Sequence, residues 1–222
     1  MIVRELISDI LPSVKSTDSA ARALDWMGEF KLNSLPIVDH GQYKGLVSEN
    51  DILDATDLNQ NVGEIRYSGW DGAFIHHGNH IYDAIEMMVN YRLEVLPVLD
   101  EENVYMGVIT LRDMIQVLGR LFAVSEPGGI LVLEIPANSY VLSEIGRIVE
   151  SADAKVLSLY LSSAQPGEPA MLLTLKLNVE DLSRVVASFE RFKYKVVRIY
   201  HKAAPRDDLR RNLDALMKYL DM

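Results

Sequence analysis

The chain has 222 residues, of which 49% are hydrophobic and 24% are charged, and its formal net charge is −10. This composition supplies enough apolar surface for two ordinary folded domains and excludes a mainly disordered chain. The sequence contains no basic run, which argues against a nucleic-acid partner because binding to phosphate backbones depends on clustered Lys and Arg.

The chain contains no Cys, which excludes disulfides, thiolate nucleophiles and Cys-based metal sites and fits a reducing compartment. No stretch reaches the roughly 18 consecutive apolar residues of a membrane-spanning helix. The N-terminus MIVRELISDI alternates charged and apolar residues and lacks the apolar core of a signal peptide. We therefore expect a cytoplasmic protein without a membrane partner.

The first half of the sequence contains one pattern twice. The segment LPIVDHGQYKGLVSENDIL at 35–53 returns as LPVLDEENVYMGVITLRDMI at 96–115. Upstream, ARALDWM at 21–27 matches DAIEMMV at 83–89, and VREL at 3–6 matches VGEI at 62–65. Two copies are too few for a solenoid, so they predict a pseudo-twofold pair in which each half covers the other's apolar sheet face.

Each repeat predicts a βαββα order. Runs of β-branched residues bounded by Gly, Asn and Asp indicate strands, and apolar residues three and four positions apart indicate helices. The predicted strands are PSV or AFI, then SLPIV or VLPVL, then KGLVS or MGVIT, and the closing helix runs from Asp51 or Asp113.

Each repeat also carries the motif G-h-h-[ST]-x-x-D, where h is apolar. Its hydroxyl residue, Ser48 or Thr110, lies where a strand turns into a helix. There it can cap the helix or face a phosphate at the positive N-terminus. The acid three residues later, Asp51 or Asp113, can accept both hydroxyls of a ribose.

The paired LP-h-h-D strands and the two motifs resemble the CBS domain family in its tandem arrangement, the Bateman module, over roughly residues 1–122. This resemblance implies binding of AMP, ADP, ATP or an S-adenosyl compound in clefts between the repeats, with no required cofactor. By the same resemblance, the two motif acids hold ribose and the two hydroxyl residues lie by the phosphate or ribose edge. The residues implied to flank adenine are Leu35, Pro36, Leu96 and Pro97.

The two predicted sites differ in charge. Arg112 lies beside Asp113 and can pair with a phosphate, whereas Glu49 and Asn50 precede Asp51. A carboxylate at position 49 repels polyphosphate, so we favour the site of the second repeat. The alternative interpretation is that both motifs are helix caps in a structural dimerisation or scaffold protein.

The segment HHGNH at 76–80 is a candidate metal site because neutral imidazoles are good ligands. Adjacent His side chains on an extended segment point to opposite faces, which favours structural or exposed His and a protein without a metal site. A phosphate-facing His77 is the alternative. No phosphate-binding Gly motif or nucleophile elbow occurs, so we assign no catalytic residue and expect no enzymatic activity.

After the break SEPGG at 125–129, the pattern changes to a predicted βαββαβ order over residues 124–204. The predicted strands are ILVLEIP, KVLSLYLSS, AMLLTLKL and YKVVRIYH, and the predicted helices are VLSEIGRIVESA and EDLSRVVASFERF.

This second half resembles the ACT domain, a regulatory module that pairs with copies of itself and often binds amino acids. The Pro-Gly and Gly-Asn positions typical of ACT loops are replaced by Asn138-Ser139-Tyr140 and Asp153-Ala154-Lys155. We therefore expect this half to serve assembly rather than amino-acid sensing.

The sequence as a whole predicts an α+β protein. Its predicted parts are a tandem CBS pair over 1–123, with repeats at about 1–60 and 61–123, an ACT-like domain and an amphipathic helix over 205–222. The layout resembles stand-alone CBS-domain regulators of the acetoin-utilisation type. We expect a noncatalytic, homodimeric adenosyl sensor that signals to a target protein through its ACT-like half.

Overall fold

A computed structural model of the chain describes residues 1–8, 11–55, 57–65, 72–136, 140–163 and 170–200. The chain divides into two compact units, Met1–Val117 and Leu118–Met222. The helix predicted over 205–222 lies outside the described residues. Within the described ranges, no helix has both the length and the apolar character needed to cross a membrane.

The two repeats follow the predicted order of helices and strands. The first repeat contains α1 (Ala20–Phe30), β1 (Ser34–Asp39), β2 (Gln42–Ser48) and α2 (Glu49–Leu53). The second repeat contains β3 (Ile75–His76), α3 (Ile81–Tyr91), β4 (Val95–Leu99), β5 (Tyr105–Thr110) and α4 (Leu111–Leu121). β1 pairs antiparallel with β2, and β3, β4 and β5 form one sheet in that order. The strand predicted at PSV is a single parallel bridge between Val14 and Ile37.

Helices α1 and α3 form because apolar residues recur on one face. In α1 the buried residues are Ala20, Ala23 and Met27, and α3 buries Ile81, Ala84 and Met88 at the same spacing. Both helices end at a basic residue in the left-handed conformation, Lys31 with φ 57° and Arg92 with φ 53°. A cation at this position interacts favourably with the negative end of the helix dipole.

The segment that opens each repeat packs against the other repeat. The backbone N–H of Val3 donates to Asn79 O over 3.0 Å, and the Val3 side chain lies in the core of the second repeat. In the same way, the N–H of Val62 donates to Asp18 O over 2.8 Å, and Val62 lies in the core of the first repeat. The opening segment of each repeat therefore packs into the core of the other repeat. Comparison of the two copies in sequence does not reveal this exchange.

A glycine in β5 permits one of these exchanged contacts. Ser8 and Val108 exchange two backbone hydrogen bonds of 2.8 and 3.1 Å. Gly107 has φ 139°, and a Cβ there would lie 2.7 Å from both Ser8 O and a methyl of Ile7. The matching glycine of the first repeat, Gly45, has φ 152° and open space around it. Only the second repeat therefore requires glycine for a close backbone approach as well as for conformation.

The second unit has the predicted βαββαβ order. It contains β6 (Ile130–Pro136), α5 (Leu142–Ser151), β7 (Val156–Ser163), β8 (Ala170–Leu177), α6 (Ser183–Arg191) and β9 (Lys195–Tyr200). The strands form one antiparallel sheet in the order β7-β8-β6-β9. Its core joins the sheet to both helices through Leu131, Leu133, Leu173, Leu175, Ile145, Ile148, Val185 and Phe189. Both units mix helices with sheets, which confirms the α+β class.

Candidate functional site

The motif of the second repeat forms a closed hydrogen-bonded ring at the start of α4. The hydroxyl of Thr110 donates to Asp113 Oδ2 over 2.6 Å, and the backbone N–H of Thr110 donates to the same oxygen over 3.0 Å. The N–H of Asp113 in turn donates to Thr110 Oγ1 over 3.1 Å. Among the described residues, Oδ1 of Asp113 takes part in no hydrogen bond, so it keeps its capacity to accept a hydroxyl from a ligand.

The first repeat has the same ring around Ser48. Its hydroxyl donates to Asp51 Oδ2 over 2.6 Å, its N–H donates to that oxygen over 2.9 Å, and the N–H of Asp51 donates back to Ser48 Oγ over 3.0 Å. This arrangement is a capping box at the start of α2. In both repeats, therefore, the acid and the hydroxyl residue stabilise a helix N-terminus whether or not a ligand binds.

The two motifs differ in exposure. Ser48 and Asp51 are each only 7% exposed. Thr110 and Asp113 are half-buried and line a cleft in the first unit. The ring of the second repeat is therefore accessible to a ligand, whereas that of the first is largely closed.

The cleft at Thr110 and Asp113 has a volume of about 610 Å³, which lies within the usual range for small-molecule sites. Both repeats contribute to it. The first supplies Ser8, Leu11, Phe30, Lys31 and Leu32, and the second supplies Glu94, Thr110, Leu111, Arg112, Asp113, Ile115 and Gln116. Five of these residues are apolar and seven are polar or charged, so the cleft combines apolar walls with groups that can bind a polar or charged ligand.

Two cations and two acids line this cleft. The cations are Lys31 from the end of α1 and Arg112 from the first turn of α4, and the acids are Glu94 and Asp113. No ion pair found among the described residues involves Lys31 or Arg112. Both cations are therefore available to a negatively charged ligand.

The four residues predicted to flank adenine lie in the strands that precede the motifs. Leu35 and Pro36 are buried in β1, and Leu96 and Pro97 are buried in β4. None of the four lines the cleft at Thr110. Their contact with adenine stays a prediction.

The His-rich segment has contacts within the fold. Nδ1 of His76 lies 2.9 Å from the backbone oxygen of Asp100, whereas Nδ1 of His77 is buried without a hydrogen-bond partner in the described part of the chain. The hydroxyl of Tyr105 is likewise buried without a described partner, and burial raises the pKa of this phenol above its usual value. In the ranges that the structure describes, no three His, Cys, Asp or Glu side chains come together as a metal site.

Sequence reasoning missed four polar residues of the cleft, Ser8, Lys31, Glu94 and Gln116. Ser8 reaches the cleft because the opening segment crosses to β5, and Lys31 reaches it from the turn after α1. Glu94 is positioned by its backbone oxygen, which accepts the N–H of Leu111 over 2.8 Å. None of them belongs to the repeated motif, and their meeting depends on packing between the repeats.

Residues 3–57 and 73–120 match the family model of the CBS domain. An inosine-5'-monophosphate dehydrogenase of Methanocaldococcus jannaschii is 28% identical over 112 residues, which is 50% of this chain and 22% of that protein. The chain therefore spans about a fifth of that relative's length, and the match is confined to the CBS region.

Solved structures of CBS proteins also match the chain. A CBS domain pair/ACT domain protein from Thermotoga maritima is 28% identical with a TM-score of 0.49, over 53% of this chain and 96% of that one. The protein CBSX2, solved in complex with AMP, is 21% identical with a TM-score of 0.46, over 53% of this chain and 95% of that one.

Proposed function

We propose that the chain, whose residues 3–57 and 73–120 match the CBS domain model, is a noncatalytic regulator that binds an adenosyl ligand between its repeats. The principal site is the cleft at Thr110 and Asp113, where Asp113 receives the ribose and Arg112 the phosphate. Ser48 and Asp51 form the corresponding, weaker site of the first repeat. The proposed adenine contacts are to the strands that contain Leu35 and Leu96, whose buried side chains do not line this cleft.

The observation that carries the proposal is the combination of a polar ring with an open cleft. The Thr110–Asp113 ring fixes the carboxylate orientation through two bonds to Oδ2, while Oδ1 stays available among the described groups. A carboxylate held in this way is preorganised to bind the two hydroxyls of a vicinal diol, because its side-chain torsions are already fixed before the ligand binds. Arg112, one residue before the acid, supplies a guanidinium for a phosphate oxygen.

The second unit is proposed to pass the ligand signal to a partner. Its βαββαβ order and antiparallel sheet suit an ACT-like domain. We propose that it mediates assembly of a homodimer and contact with a target protein, and that it does not sense amino acids. Regulation by this route requires the ligand to bind one conformation more tightly than another.

Calorimetric titration with AMP, ADP, ATP and S-adenosylmethionine tests the binding step. The informative pair of variants is Asp113→Ala and Asp51→Ala, since each removes the acid from one of two equivalent hydrogen-bonded rings. We expect wild type and Asp51→Ala to bind at least one of these compounds and Asp113→Ala to lose most of that affinity. Equal heats for all three proteins would remove Asp113 from the site.

A structural scaffold is the second candidate function, and the capping boxes in both repeats favour it. If the motifs are caps only, none of the adenosyl compounds raises the melting temperature. The two acid-to-Ala substitutions nevertheless lower stability, because each removes the carboxylate that caps a helix N-terminus. A thermal-shift screen of wild type therefore separates the two functions, since a bound ligand stabilises the folded state.

A further inference from the structure

The cleft at Thr110 contains two cations from different repeats, and this arrangement limits the ligand that it can hold. Lys31 belongs to the first repeat and Arg112 to the second. Both side chains are exposed, and neither is engaged in an ion pair within the described residues. From this juxtaposition we infer that the ligand is a nucleoside monophosphate whose phosphate lies between Lys31 and Arg112, an inference that rests on the proposed adenosyl function.

The charge of the cleft favours one phosphate over three. A phosphomonoester carries about −1.5 to −2 charges at neutral pH, which two cations offset. A triphosphate brings more negative charge than Lys31 and Arg112 can neutralise. The excess would face the carboxylates of Glu94 and Asp113, which line the same cleft. The cleft is thus selective against polyphosphates because like charges repel at short range.

Lys31 occupies a fixed backbone position. Its N–H donates to the backbone oxygen of Met27, and the N–H of Leu32 donates to that oxygen over 2.9 Å. The following residue, Leu32, packs against the core of the first repeat. The Lys31 side chain therefore extends from an ordered turn, so a phosphate bound to it connects the first repeat to α4 of the second.

The second repeat supplies a matched control for Lys31. Arg92 ends α3 in the same left-handed conformation, and its N–H donates to the backbone oxygen of Met88. Arg92 does not line the cleft at Thr110. Substitution of either residue by Ala removes a cation from a helix C-terminus. The two variants should therefore differ only in their affinity for a ligand that carries a phosphate.

The test measures dissociation constants for adenosine, AMP and ATP in buffer without divalent cations, for wild type, Lys31→Ala and Arg92→Ala. We expect wild type to bind AMP more tightly than ATP. Lys31→Ala should weaken AMP binding about tenfold, the typical effect of losing a charge-assisted hydrogen bond, and leave adenosine binding unchanged. Arg92→Ala should change neither affinity.

Each of the following outcomes overturns the inference while leaving the proposed function intact. The first is tighter binding of ATP than of AMP by wild type. The second is unchanged AMP affinity in Lys31→Ala, and the third is an equal loss of affinity for AMP and for adenosine in that variant. An equal effect of Arg92→Ala on AMP also overturns it. Failure of wild type to bind any adenosyl compound contradicts the proposed function itself.

Discussion

The two repeats carry the same ring of hydrogen bonds but place it in different surroundings. In the first repeat, Ser48 and Asp51 are each 7% exposed and form the N-terminal cap of a helix of 5 residues. In the second, Thr110 and Asp113 line an open cleft and form the N-terminal cap of a helix of 11 residues. One motif can therefore serve mainly stability in one copy and ligand binding in the other, because accessibility is set by what packs around the ring.

The largest expected effect tests the close contact that only the second repeat has. Gly107→Ala places a methyl group 2.7 Å from Ser8 O in a backbone conformation that already disfavours side chains. We expect it to lower the free energy of unfolding by about 3–5 kcal/mol, from strain and steric overlap together. Gly45→Ala, with open space around the position, should cost only about 1–2 kcal/mol, from strain alone.

Urea unfolding followed by tryptophan fluorescence measures this difference. Trp26 packs against the core of the first repeat, so its fluorescence reports unfolding of the first unit. Equal costs for the two glycine substitutions would show that overlap with Ser8 and Ile7 adds nothing to the backbone strain, which would contradict this comparison.

The next effect compares the two acids as caps. Asp51→Ala should lower the free energy of unfolding by about 3 kcal/mol, because it leaves the buried N–H and hydroxyl of Ser48 without their shared acceptor. Asp113→Ala should cost about 1 kcal/mol, since water can replace the acceptor at a half-buried ring. The same fluorescence experiment measures both values, and a larger cost for Asp113→Ala would contradict the comparison.

The third effect concerns ligand binding, for which the acid of the second repeat should matter more than the acid of the first. At a concentration of about 100 times the dissociation constant, a ligand stabilises the folded protein by about 2.7 kcal/mol. With AMP as the probe, we expect Asp51→Asn to keep this stabilisation and Asp113→Asn to lose it. Thermal unfolding with and without AMP measures the shift for each variant against its own ligand-free baseline. If AMP still raises the melting temperature of Asp113→Asn, the nucleotide binds at a site that does not include Asp113.

The smallest expected effect tests whether neighbouring charge or burial prevents AMP from binding at the motif of the first repeat. The double substitution Glu49→Leu and Asn50→Arg gives the first motif the neighbours that Asp113 has in the second, Leu111 and Arg112. Because Asp51 stays buried, we expect the stoichiometry of AMP binding to remain that of wild type. A second equivalent of AMP bound in calorimetry would show that charge, and not burial, distinguishes the repeats.

The fold was largely predictable because its signals are local. The strand VLPVL was predicted with the bounds that β4 has, and ILVLEIP with those of β6. β-branched residues between turn residues define such strands without help from distant contacts. The AFI strand was placed less accurately, since β3 covers only Ile75–His76 and depends on its parallel partner β4.

The candidate site was only partly predictable. The repeated motif identified Thr110 and Asp113 as a pair, and the neighbouring charge favoured the second repeat. Lys31 and Glu94 gave no such signal, because each is an ordinary charged residue near the end of a helix. A single charged residue at such a position is usually solvated, so its role depends on the surface opposite it.

The sequence by itself determined the duplicated βαββα order, the change to a βαββαβ order after residue 129 and the two capping rings. These features follow from hydrophobic periodicity and from bonds between residues three positions apart. Only the tertiary structure decided that the opening segments exchange repeats, that Asp51 is buried while Asp113 faces a cleft, and that Lys31 joins Arg112 there. The physical reason is that burial and non-local contacts depend on which surfaces pack together, which local patterns do not specify.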